Sequence, residues 1–146
     1  MTATDYLALA KHDYDTLVLL SQAAAQKQPR FDASDWKVAL TFYMACIYVK
    51  ALAAIRGKQF RKHEDLRTWI NVTQDVIPIA STYRALEEKS RDARYEGRKF
   101  RRAELEEVSA LFNRVRDGIE RLLASAGITP LPGLDPSAVL PIGQDS

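Results

Sequence analysis

The chain has 146 residues, which is enough for one domain and too few for two comfortable ones. Its 21 Lys and Arg residues nearly balance its 19 Asp and Glu residues, and the net charge of +2 excludes a histone-like or wholly disordered polyelectrolyte. One cysteine and two histidines exclude an internal disulfide framework and argue against a structural metal site. We therefore expect neither a metal nor a cofactor.

We expect no signal peptide and no membrane span. Asp5 and Asp13 lie in the N-terminal stretch, and no basic region precedes an apolar one there. The most apolar run, residues 38–49, is 12 residues long, whereas a spanning helix needs about 20. This run is typical of a buried core helix, and we expect a cytoplasmic protein.

Helical patterns dominate the chain in order from its start. Strand signals are weak, whereas apolar residues recur at three-to-four-residue steps. Thr4 is the predicted N-cap of the first helix, and Ser34 with Asp35 is predicted to open the second. Short loops make successive helices antiparallel neighbours, so we predict an all-α antiparallel bundle of about five helices. The predicted helices span about 4–26, 34–57, 63–76, 79–95 and 105–127.

The second predicted helix is apolar nearly all the way round, so we expect it to be the most buried one. Cys46 lies in this helix and is interpreted as an inert core thiol. The bulky side chains expected to touch several neighbours are Trp36, Leu40, Tyr43, Ile47 and Leu52.

The last twenty residues, 127–146, hold four of the six prolines and three of the six glycines. Such a segment cannot propagate a helix or a central strand. We interpret it either as a flexible tail or as a strap on the surface, which gives a bundle over 1–126 followed by a C-terminal tail.

Positive charge is concentrated in the middle of the chain. Residues 56–102 carry 13 basic and 7 acidic side chains, net +6, whereas the remainder carries 8 basic and 12 acidic, net −4. Basic residues interleaved with aromatic ones suit a nucleic-acid surface, although the same cluster is also typical of a solvated helix end with ion pairs at helical spacing. The candidate nucleic-acid-binding residues are Arg91, Arg94, Tyr95, Arg98, Lys99, Arg101 and Arg102.

Three pieces of the chain together resemble the HEPN family of small helical-bundle proteins. They are YMACIYVKALAAIRGKQF, KHEDLRTWI and YRALEEKSRDARYEG, in this order, within residues 36–97. The resemblance implies a four- or five-helix bundle and two kinds of protein. Many family members are metal-independent ribonucleases, often toxins or defence effectors, whose site is an Arg followed after four to six residues by His and completed across a dimer. Others lack this signature and act as RNA-binding, scaffolding or accessory domains.

The chain departs from the ribonuclease signature. Arg91 and Asp92 match its opening pair, but Glu96, Gly97 and Arg98 occupy the positions where His should follow. Imidazole suits proton transfer because its pKa lies near neutrality, so this loss argues against catalysis. We therefore expect a non-catalytic HEPN-like binding or accessory module, with RNA as a candidate partner.

Two alternatives remain open. A ribonuclease with a degenerate site would use His63 with Arg56, Arg91 or Arg94, since six residues separate Arg56 from His63. Against this, His63 also fits a residue that simply opens a helix. The other alternative is a protein–protein adaptor without RNA binding, as in toxin neutralisation, with the C-terminal tail as its docking strap and a partner encoded by a neighbouring gene. In each case we expect a homodimer, because two-fold dimers are the commonest assembly of such bundles.

Overall fold

The computed structural model describes residues 1–129, 131 and 133–144, and this part of the chain is helical without a strand. The prediction of an all-α bundle is therefore confirmed. The five helices are α1 (Ala3–Gln26), α2 (Ser34–Ile55), α3 (His63–Val72), α4 (Ala80–Glu96) and α5 (Arg102–Ser125). Two single 3-10 turns, Ile77–Ile79 and Pro136–Ala138, precede α4 and follow α5.

The starts of α1 and α2 differ from the predicted caps. Thr2, not Thr4, caps α1: its hydroxyl accepts the Asp5 N–H at 3.1 Å, and the Asp5 carboxylate accepts the Thr2 N–H at 2.8 Å. Ser34 begins α2 but does not cap it. Its hydroxyl instead accepts the N–H of Phe100 at 2.8 Å, which ties the start of α2 to the loop before α5.

Helix α2 is the central helix and packs against α1, α4 and α5. By length and composition it could cross a membrane, and 72% of its most apolar window is buried inside the bundle. Leu52 and Ile47 are buried as predicted. The prediction for Trp36 was wrong: its side chain, in the first turn of α2, is 59% exposed.

Helix α5 approaches the start of α4 very closely. A Cβ atom at Gly118 would lie 2.7 Å from Cγ2 of Ile79, so the glycine makes room for that side chain. Helix α4 ends at Gly97, whose φ of 62° is left-handed and favours glycine. On the inner side of α4, Tyr83, Leu86, Ser90 and Ala93 are all buried.

Residues 133–144 form a strap packed on the bundle rather than a free tail. Leu134, Val139 and Leu140 are buried in the same core as the helices. Lys37 of α2 is fully buried, and its ammonium group donates to the carbonyl oxygens of Leu140 at 3.2 Å and Ile142 at 2.8 Å. The strap alternative therefore describes this segment, while four residues of the predicted tail, at positions 130, 132, 145 and 146, lie outside the described residues.

Candidate functional site

The basic loop between α4 and α5 contains several ion pairs. Arg98 binds both Asp92, at 3.1 Å, and Glu104, and the Lys99 ammonium lies 2.9 Å from Asp35. Arg101 pairs with Glu104 at 3.5 Å, and Arg102 pairs with Glu106 at 3.8 Å. Four of the six predicted phosphate-binding cations are therefore already neutralised by carboxylates. Most of these side chains are exposed, although Asp35 is largely buried, so each exposed pair contributes little and its carboxylate can be exchanged for another anion.

Glu104 organises this loop as well as neutralising it. Its carboxylate accepts the backbone N–H of Arg101 at 3.1 Å, which is the return bond of a capping box at the start of α5. This hydrogen bond and the neighbouring arginines hold the pKa of Glu104 below its ordinary value. Arg98 also lies over the ring of Phe100 at 4.6 Å.

Arg94 differs from the other cations of the predicted surface. It is half-buried and forms no ion pair with a carboxylate among the described residues. Its guanidinium lies over the rings of Tyr95 at 5.2 Å, Tyr43 at 5.6 Å and Phe42 at 5.7 Å. It donates to the Ser90 carbonyl at 3.3 Å and, weakly, to the Tyr43 hydroxyl at 3.5 Å. Stacking and main-chain contacts hold this charge in place and leave it available to an anion.

His63, the first residue of α3, lies against the same aromatic side chains. Its ring stacks on Tyr43 with centroids 6.3 Å apart and planes inclined by 22°, and it lies 5.8 Å from the ring of Phe42. Burial lowers the pKa of His63, and the positive charges of Lys50 and Arg94 lower it further. The imidazole is therefore neutral at physiological pH and can accept a proton or a hydrogen bond.

Behind His63 the site is closed by a buried thiol. The Sγ atom of Cys46 lies 3.8 Å from Nδ1 of His63 and 3.2 Å from the hydroxyl of Tyr83. Burial raises the pKa of Cys46 to about 12, and burial likewise raises the pKa of Tyr83. Neither group ionises near neutrality, so the prediction of an inert core thiol agrees with this setting.

A partly buried ion pair that the sequence prediction missed joins α3 to α4. Glu87 is almost fully buried and accepts two hydrogen bonds from Arg67, at 2.8 and 2.9 Å. Arg67 lies one turn after His63 on the same helix, so this bidentate pair also positions the imidazole. The sequence does contain a signal for a buried carboxylate here, because Glu87 lies one helical turn after Tyr83 and therefore on the inner side of α4.

The remaining candidate catalytic residues lie in other settings. Arg56 donates two hydrogen bonds to Asp75, of 2.7 and 2.5 Å. The Arg56 guanidinium lowers the pKa of Asp75. Arg91 is exposed, and no ion pair joins it to another described residue. Of the cations expected to work with His63, Arg94 therefore lies near it, whereas Arg56 is bound to Asp75.

Within residues 1–129, 131 and 133–144, no group of three His, Cys, Asp or Glu side chains could hold a metal ion. Comparison with known proteins gives no match to a protein family, to a curated protein or to a solved structure.

Proposed function

We propose that this chain is a HEPN-like helical module that binds RNA through the surface around Arg94 and acts as an accessory protein rather than as an enzyme. The resemblance in the sequence suggests the class of protein, and the setting of Arg94 is the observation that carries the proposal. A half-buried charge without an ionic partner costs free energy that a purely structural residue would avoid. An anionic ligand offsets this cost when it binds.

The chemistry of the surface favours RNA over a simple anion. Tyr95 is 73% exposed and has Arg94 against its ring, so its free face can stack on an unpaired base while the guanidinium meets a phosphate. Exposed Arg91 lies one turn before Tyr95 on α4 and extends the cationic surface. The ion-paired arginines of the α4–α5 loop form its rim, where phosphates can displace the carboxylates.

The test is fluorescence anisotropy with a labelled single-stranded RNA. We expect Arg94→Gln to weaken binding by roughly tenfold or more, because a charge-assisted contact contributes about 1.5–3 kcal/mol. Affinity should fall with salt by a log–log slope of about 0.7 per contacted phosphate. Arg84→Gln is the matched control, since Arg84 is an exposed arginine near the other end of the same helix.

If wild-type protein does not bind RNA even at low salt, the proposal is wrong and the adaptor alternative leads. If both arginine variants weaken binding equally, the interaction is unspecific attraction rather than a site. The occurrence of a nucleotidyltransferase or effector gene beside this one would favour a paired toxin–antitoxin system.

A degenerate ribonuclease is the second candidate, and one observation favours it. The neutral His63 lies beside Arg94, so the imidazole could accept the 2′-hydroxyl proton while the guanidinium binds the adjacent phosphate. Our leading proposal predicts no cleavage of a mixed RNA pool in the presence of a chelator. Cleavage that His63→Ala abolishes while RNA binding persists would instead establish the ribonuclease.

A further inference from the structure

A second cleft lies between the start of α4 and the C-terminal half of α5. Its volume is about 260 Å³, and side chains of both helices and of the 3-10 turn before α4 line it. Thr82, which lines the cleft, is three turns before Arg94 on α4, and this separation is about 18 Å along the helix axis. The cleft is therefore separate from the proposed RNA surface.

Two arginines of α5 line this cleft without an acidic partner. Arg114, Gly118 and Arg121 follow one another at steps of four and three residues, so they lie on one side of α5. The acidic residue of α5 at helical spacing from both arginines is Asp117, and Arg116 binds it at 2.9 Å. Within the part of the chain that the structure describes, neither Arg114 nor Arg121 forms an ion pair.

The acidic residue that lines the cleft does not neutralise these arginines. The carboxylate of Asp75 accepts two hydrogen bonds from Arg56, at 2.7 and 2.5 Å. This guanidinium holds the pKa of Asp75 below its ordinary value, so the carboxylate stays ionised and paired with Arg56. The cleft therefore keeps an excess of two positive charges, those of Arg114 and Arg121.

The walls between the two arginines are mostly apolar. Pro78, Ile79 and Leu122 line the cleft, and a Cβ atom at Gly118 would lie 2.7 Å from Cγ2 of Ile79. The absence of that atom lets α5 approach the start of α4 closely at this point. The hydroxyl of Thr82 forms no hydrogen bond with another described residue, so it can donate one to a ligand. An anion attached to an apolar or planar group fits these walls.

We propose that this cleft binds a phosphomonoester, with Arg114 and Arg121 on the phosphate and the apolar walls against the organic group that carries it. A phosphate monoester carries a charge of about −1.5 to −2 at pH 7, which matches the excess of two positive charges. The planar guanidinium fork binds pairs of phosphate oxygens through parallel hydrogen bonds. A free nucleoside monophosphate and the 5′-phosphorylated end of an RNA share this chemistry. The proposal does not depend on RNA binding at Arg94.

The first experiment is isothermal titration calorimetry of the full chain with adenosine monophosphate, and with adenosine as the uncharged comparison. We expect the monophosphate to bind and adenosine not to bind. Arg114→Gln and Arg121→Gln should each weaken binding of the monophosphate by roughly tenfold or more, because each removes a charge-assisted contact. Arg121→Lys keeps the charge but loses the fork, so it should also weaken binding.

Arg91→Gln is the matched control for these variants. Arg91 is likewise an exposed arginine without an ion pair among the described residues, and it does not line the cleft. It should leave the affinity for adenosine monophosphate unchanged. The proposal is overturned if the wild type does not bind the monophosphate at millimolar concentration, if adenosine binds equally well, or if Arg91→Gln weakens binding as much as the cleft variants do.

The second experiment distinguishes the two sources of the phosphomonoester. It uses Arg94→Gln protein, in which the proposed RNA surface is weakened, and compares one short RNA with a 5′-phosphate and with a 5′-hydroxyl by fluorescence anisotropy. Tighter binding of the phosphorylated RNA, removed by adding Arg121→Gln, identifies RNA ends as the source. Equal binding of both RNAs by a protein that binds adenosine monophosphate identifies the free nucleotide.

Discussion

At the scale of single residues, the protonation of His63 links the fold to the proposed site. Its imidazole is held neutral by partial burial and by the nearby cations Lys50, Arg94 and Arg67. We expect the NMR titration of His63 to give a pKa below the ordinary histidine value of about 6.5. Arg94→Gln should raise this pKa, because one of the three nearby cations is removed. Arg91→Gln is the control and should leave it unchanged.

The same shift makes stability depend on pH with a defined sign. The folded-state pKa of His63 is the lower one, so the unfolded chain takes up the proton first as the solution is acidified. The stability contributed by neutral His63 is complete above about pH 6.5 and is lost as the pH falls through the window below it. Urea unfolding of wild type and His63→Gln should show a shallower acid-side loss in the variant, and a steeper one would contradict the assignment.

At the scale of secondary-structure elements, α3 is the short helix whose position depends most on one polar contact. Arg67→Met should destabilise the protein by about 3 kcal/mol, because it leaves the buried carboxylate of Glu87 unpaired. Adding Glu87→Gln should recover much of this loss. Denaturant unfolding of the two single variants and the double variant measures the coupling, and simple additivity would show that the pair does not hold α3.

The elements were predictable from the sequence to different degrees. Three-to-four-residue periodicity sufficed for the existence and order of the helices, and α4 and α5 have one clear apolar stripe each. Helix α2 is apolar on every side, so its pattern could not reveal that Trp36 faces outward. His63 and Arg94 are thirty-one positions apart, and only the packing of α3 and α4 against Tyr43 brings them together.

At the scale of the whole molecule, the strap completes the core. A chain ending at residue 129 should lose most of its stability, because burial of Leu134 and Leu140 contributes about 1.5–3 kcal/mol each and whole domains have only about 5–15 kcal/mol. The buried ammonium of Lys37 would also lose both of its acceptors. Lys37→Met should therefore stabilise the truncated chain relative to truncation alone. Thermal unfolding followed by circular dichroism measures both effects.

The strap also sets the order in which this protein can mature on the ribosome. Its residues are synthesised after all five helices, so α2 leaves the exit tunnel with Lys37 already in place and its two carbonyl acceptors not yet made. The nascent bundle therefore stays loosely assembled until the strap has been synthesised. A chain stalled just after α5 should accordingly be cleaved by protease much faster than the released protein, and equal resistance would show that the helices close without the strap.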